Sequence, residues 1–121
     1  MGEIRSYRDL LVWQQAMDLA VATYEATSVW PKDEMYGLVA QARRAAVSIP
    51  ANIAEGYGRE SRGNYLQFLK IAQGSIKELE THFLIAERVR IADAKIVAGI
   101  LERGESVGKL LRLLIRKIET A

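Results

Sequence analysis

Apolar residues recur along this chain at steps of three and four, the spacing that puts them on one face of a helix, in four separate stretches. In the first, about residues 8–28, Leu10, Trp13, Met17, Ala20 and Tyr24 form the stripe. Asp9 stands in its opening turn, where a carboxylate suits the positive end of the helix dipole. Trp30-Pro31 closes the segment, because the residue before a proline is pushed out of helical geometry. The second stretch starts near Lys32 or Asp33 and carries Met35, Leu38, Ala42, Ala45, Ile49 and Ile53. It is dense in alanine, which lets neighbouring helices approach closely, and Gly56 with Gly58 ends it.

The third stretch, roughly 62–90, is the most regular. Tyr65, Leu69, Ala72, Ile76, Leu79, Phe83 and Ala86 alternate steps of four and three, the 3.5-residue period of a bundle seam, and Ser61 is placed to cap it. A break follows around Ile91-Ala92-Asp93, with neither glycine nor proline to mark it. The fourth stretch, about 93–119, carries Ile96, Ile100, Val107, Leu111, Leu114 and Ile118, with Arg103 interrupting the series. Leu110, Leu113 and Ile115 widen its apolar surface beyond one stripe, and the simplest use of that extra surface is burial against another subunit. Four amphipathic helices on short connections predict an all-α fold, an antiparallel up-down-up-down four-helix bundle in a single domain over residues 1–121.

Pro50 falls inside the second predicted helix. A proline there removes a backbone donor and presses its ring on the carbonyl four residues back, at a cost of about 3 kcal/mol or more, so the second helix is expected to be kinked. The Ala46 carbonyl loses its usual donor, and a buried carbonyl without a partner is costly. Ser48, Asn52 and Glu55, with Ser75 and Glu78 on the third helix, are expected to form a polar network that fixes the kink. Gly74 and Ser75 are small enough to admit the bent helix.

Composition narrows the chemistry. The 121 residues include no cysteine, which excludes disulfides, thiolate chemistry and cysteine-ligated metals. The opening MGEIRSYRDL has no apolar core of a secretory signal, and no uncharged run nears the ~20 residues that cross a bilayer. The reading is a cytoplasmic protein without membrane contact. His82 is the lone histidine. With Glu78 four residues before it and no second motif, it fits no di-metal carboxylate site, and it is expected at the surface or in a subunit contact. No nucleophile–base set or phosphate loop is present: GYGRESRG (56–63) follows no strand. No catalytic, cofactor or metal residue is assigned, and the chain is read as a non-enzyme.

Charge is modest, +2 overall, but unevenly placed. The stretch 109–121 has four basic residues and one acidic. Lys109, Arg112 and Arg116 share one helix face with Lys117 beside it, while Arg59 and Arg62 stand in the glycine-bearing loop. Such a patch suits an anionic partner, although a solvated helix face has the same look. Arg43 and Arg44 lie about 100° apart; one is expected to pair with a carboxylate such as Glu55 or Glu80.

DLLVWQQA (9–16), Tyr24, Pro31, Glu34, Gly37-Leu38, QARRAAVSIPANIAEGYGR (41–59) and FLKIAQGSIKELE (68–80) together resemble a known family. It comprises the small four-helix bundle proteins encoded in intervening sequences of bacterial 23S ribosomal RNA genes, related to the accessory variability determinant of diversity-generating retroelements. The likeness runs from Tyr7 to about Arg88; beyond it, Val89-Arg90-Ile91-Ala92 replaces a common Leu-Gly-Tyr-like turn. The resemblance implies a homopentameric ring with no catalytic activity, and in the retroelement branch contact with a reverse transcriptase and nucleic acid through basic surfaces. The expected function is therefore a non-catalytic oligomeric scaffold or adaptor whose basic surface engages RNA, DNA or a reverse transcriptase-like enzyme. The alternative is a purely protein-binding module with no nucleic-acid role.

Overall fold

The long first helix does not begin at residue 8. In the computed structural model, which describes residues 3–121, Tyr7–Asp9 make a single 3-10 turn. Ser6 and Asp9 box that turn. Ser6 Oγ accepts from the Arg8 amide at 3.1 Å, and Asp9 Oδ2 accepts from the Ser6 and Arg5 amides at 3.1 and 2.9 Å. Asp9 therefore caps the turn instead of opening a longer helix. Helix α1 follows as Leu11–Thr27.

Its buried positions are Val12, Ala16, Leu19, Ala20, Thr23 and Thr27. The stripe expected from the sequence is thus rotated: Met17 is 39% and Tyr24 46% exposed. This helix is apolar on more than one side, and packing selects the side whose small residues admit close neighbours. The two buried threonines cost nothing in unpaired hydroxyls, since Thr23 donates to the Leu19 carbonyl at 2.9 Å and Thr27 to that of Thr23 at 2.8 Å.

The second helical segment is composite. A 3-10 turn, Lys32–Glu34, leads into a π-helical stretch, Met35–Val39, and then into α2, Ala40–Tyr57. Gly37 leaves helical geometry (φ −104°, ψ −109°), so a break in the helical path lies here. The Glu34 carboxylate caps it by accepting from the Leu38 amide at 3.2 Å, in space that a Cβ on residue 37 would crowd at 3.1 Å. Past Ala40 the helix continues through Pro50, which is buried. Ala42, Ala45, Ile49 and Ile53 fill the core as the spacing predicts, whereas Met35 stays half exposed.

Helix α3, Arg62–Arg88, begins on Ser61, whose Oγ accepts from the Asn64 amide at 3.0 Å. The predicted stripe from Leu69 to Ala86 is buried throughout. Its end explains the break that carried no glycine. Arg90 takes a left-handed conformation (φ 67°), the Ile91 amide bonds the Ala86 carbonyl at 2.9 Å, and the Arg90 amide bonds that of Glu87 at 3.0 Å. These two bonds make a Schellman stop, with Arg90 where glycine is usual and Ile91 packed on the core.

Helix α4 spans Ala94–Glu119 and buries Val97, Ile100, Gly104, Val107, Leu111 and Ile115. The interruption at Arg103 disappears, because Gly104 holds that place in the stripe. Ile96 is 47% exposed, and Ile115 belongs to the core instead of to a second surface. Consecutive helices pack together, and α1 also packs on α4. Ser48 meets Ser75 while Gly56 meets Phe68; Glu80 meets Gly104 while Lys70 meets Glu119. In each pair the numbers rise on one helix as they fall on the other, so α3 runs against both α2 and α4. Trp30 meets Phe83 edge-on at 5.2 Å within the same core. No strand occurs among the described residues.

Candidate functional site

The polar residues around Pro50 divide into two sets. Ser48 Oγ and Ser75 Oγ lie 2.8 Å apart, tying α2 to α3. Asn52 Nδ2 donates to Ser48 Oγ at 2.9 Å and to the Ser48 carbonyl at 2.7 Å. Ser48, Asn52 and Ser75 therefore form one network next to Pro50. Glu55, Glu78 and Gly74 lie outside it. Glu55 pairs with Arg59 at 3.2 Å, and Glu78 stands 3.6 Å from His82. A Cβ on Gly74 would meet nothing within 4 Å, and the residue borders a groove toward α4 instead of α2.

His82 is not a surface residue: it is 8% exposed, and neither ring nitrogen has a hydrogen-bond partner. Glu78 is too far for a hydrogen bond. Seven residues after Ser75, His82 falls on the same helix face, a step the sequence shows but a lone histidine disguises. Arg43 is held by neither carboxylate foreseen for it. Its Nε donates to Thr27 Oγ1 at 2.9 Å, and its guanidinium lies 4.5 Å from the Tyr24 ring centre. Glu80 pairs with Lys77 at 3.4 Å. Arg44 has no ion pair among the described residues.

The basic residues gather toward one end. Lys109, Arg112, Arg116 and Lys117 are exposed on α4, without an ion pair among the described residues. The Lys70–Glu119 contact at 3.9 Å puts the end of α4 beside the first third of α3. Arg62, the first residue of α3, and Arg59 in the preceding loop are thereby at the same end of the molecule. Arg59 also lies 4.9 Å from the Phe68 ring centre. Tyr57 and Tyr65 meet edge-on at 6.2 Å nearby, and burial, then the neighbouring Tyr57, pushes the Tyr65 hydroxyl above its ordinary value. Gly56 makes this junction possible, since a Cβ there would lie 2.8 Å from Phe68 Cβ. Sequence spacing alone missed this aromatic cluster, because its members come from two helices and the loop between them.

Among the described residues there is no group of three side chains suited to a metal ion, and no helix is long and apolar enough to cross a membrane. The family profile described as "23S rRNA-intervening sequence protein" matches residues 8–113, nearly the whole bundle. The chain belongs to this family. Its fold is shared by the crystal structure of a Bacteroides thetaiotaomicron protein of unknown function from the S23 ribosomal protein family. The two are 22% identical, with a TM-score of 0.81 over 88% of this chain and 96% of the other. No curated protein matches. The family match reaches well into α4, beyond Arg88 where the resemblance in the sequence faded, and so includes Lys109 and Arg112.

Proposed function

We propose that this member of the 23S rRNA-intervening sequence protein family is a non-catalytic oligomeric scaffold whose basic surface engages RNA, DNA or an enzyme acting on them. The observation that carries this reading is the set of four exposed cations on α4, none neutralised by a carboxylate among the described residues. A carboxylate partner within the chain would spend that charge internally. Left free, it attracts phosphate, with affinity that tolerates sequence and falls with salt. Arg62 and, behind its pair with Glu55, Arg59 extend the surface around the same end.

Self-association is supported by a different face. Tyr36 is 93% exposed, and with Met35, Val47 and Tyr24 it borders an open, mainly apolar depression on α1, the Met35–Val39 stretch and α2, which Arg43 and Arg44 also line. Apolar surface of that kind asks for a partner. A pentameric ring, which the resemblance implies, would repeat the basic stripe around its rim and turn modest charge per chain into a multivalent surface. The same apolar face favours the second reading, a protein-binding module without nucleic acid, whose capture of a partner would survive nuclease and high salt.

The test is charge reversal. Arg112→Glu with Arg116→Glu is expected to abolish salt-sensitive RNA binding while native mass spectrometry finds the assembly unchanged. A wild-type chain that binds no polynucleotide at low salt would dispose of the proposal.

A further inference from the structure

Charge is divided lengthwise along the bundle. Arg43, near the start of α2, meets Tyr24 and Thr27 at the end of α1. Ala26 of α1 shares a depression with Lys95 of α4, and Gln15 shares one with Ser106. Numbers that rise on α1 fall on both neighbours, so the start of α1, the α2–α3 turn and the end of α4 occupy one end of the molecule. That half, residues 3–13, 54–73 and 108–121, holds nine basic and five acidic residues, whereas the other half holds eight basic and ten acidic.

Four of the five carboxylates in the basic half are already engaged. Glu3 pairs with Arg5 at 3.6 Å, Glu55 with Arg59 at 3.2 Å and Glu119 with Lys70 at 3.9 Å, and Asp9 accepts from two backbone amides. Six cations there have no ion pair among the described residues: the four on α4, Arg62 and Arg8. Helical spacing does not single out Arg8, which stands exposed in the Tyr7–Asp9 turn. That turn packs on α1 and α2 and holds the residue firmly. Ser6 Oγ accepts from the Arg8 amide at 3.1 Å, and Gln14 Nε2 donates to its carbonyl at 2.8 Å. The guanidinium lies 5.7 Å from the centre of the Tyr7 ring, which meets Trp13 edge-on at 5.3 Å. A cation fixed in this way loses less freedom on binding than a mobile one, and no carboxylate of the described chain takes its charge.

We infer that Arg8 is a nucleic-acid contact, and that the phosphate backbone crosses this end of the bundle in an arc from Arg8 past the α4 cations to Arg62. This rests on the reading that the basic surface binds nucleic acid, and adds the path the backbone takes. Helix α4 packs on both α1 and α3, so Arg8 and Arg62 flank it. Neighbouring helix axes stand about 8–10 Å apart, which places the three corners within reach of one strand. The opposite end, with its acidic excess, repels phosphate and confines the strand to the basic one.

Anisotropy titrations of a labelled oligouridine against the full chain, over a series of salt concentrations, test this. Each phosphate contact carries a slope of about 0.7 in log K per decade of salt for a single strand. Arg8→Ala is expected to lower the slope by about that amount and to weaken binding roughly fivefold to tenfold at low salt, the scale of one lost contact. Arg8→Lys is expected to restore the slope. Lys95→Ala removes the same charge from an exposed residue at the opposite end that has no ion pair among the described residues, and is expected to bind like wild type. An unchanged slope in Arg8→Ala would overturn the inference, and so would an equal loss in Lys95→Ala, which would make net charge the cause. Failure of Arg8→Lys to restore the slope would assign the residue to the fold alone. Displacement of the RNA by phosphatidylserine vesicles as effectively as by unlabelled oligouridine would also overturn it, giving this end to a membrane surface. If the Arg112 and Arg116 reversals abolish binding while Arg8→Ala keeps the full slope, the basic surface stands and the arc falls. If the wild type binds no polynucleotide, both fall.

Discussion

Arg90 adopts a left-handed backbone conformation (φ 67°) that costs an ordinary side chain about 1–2 kcal/mol. Glycine takes that conformation freely. Arg90→Gly is therefore expected to stabilise the chain by about 1 kcal/mol and to raise its melting temperature by a few degrees, as read by calorimetry. A lower melting temperature would mean that the Arg90 side chain makes a contact worth more than the strain. Sequence periodicity located this stop only from helix length, because the residue that makes it is not one of the usual helix breakers. His82 shows the same limit: the face it lies on was readable from Ser75 and Ala86, yet its polarity argued for the surface.

Elements were readable to different degrees, and packing explains the order. Helix α3 follows the predicted stripe because its 3.5-residue repeat is unbroken from Leu69 to Ala86. Helix α1 is apolar on two sides, so Met17 and Tyr24 matched the period as well as the buried Val12, Ala16, Leu19 and Thr23 do, while the expected Ala20 is buried and Leu10 and Trp13 pack on the edge of the core. Helix α4 depended on a glycine, since Gly104 contributes no hydrophobicity to a pattern and lies against Ile76 and Glu80. In α2 the proline drew attention to residue 50, whereas the recorded departure from helical geometry is at Gly37. The polar link next to Pro50 is smaller than expected and rests on one inter-helix contact, Ser48 to Ser75 at 2.8 Å. Replacing Ser75, which is buried, with valine removes that contact. The substitution is expected to cost about 1 kcal/mol, the net worth of a hydrogen bond lost where its partner keeps Asn52. Urea denaturation of Ser75→Val measures it, and an unchanged midpoint would show that the link does not fasten α2 to α3.

At the scale of the whole molecule, two surfaces face away from the shared core. One is the apolar side of α1 and α2 around Tyr36, where self-association is proposed; the other is the cationic end formed by α4 with Arg59 and Arg62. The sequence showed the α4 charges directly, because they follow one another at helical spacing. It placed the extra apolar surface on α4, where Ile115 is in fact core and Leu113 alone of the three widening residues is largely exposed. Nor could it show that Arg8 joins the cationic end, since α1 and α4 meet only through the fold.

The most direct test of the central claim is the salt dependence of single-stranded RNA binding by the assembled wild-type chain, followed by fluorescence anisotropy. Each phosphate contact lowers log K by about 0.7 per decade of salt for a single strand, so engagement by several of the α4 cations predicts a steep, linear fall of at least about 2 per decade. A flat response, or no binding at the lowest salt, would contradict the assignment of this basic surface to nucleic acid.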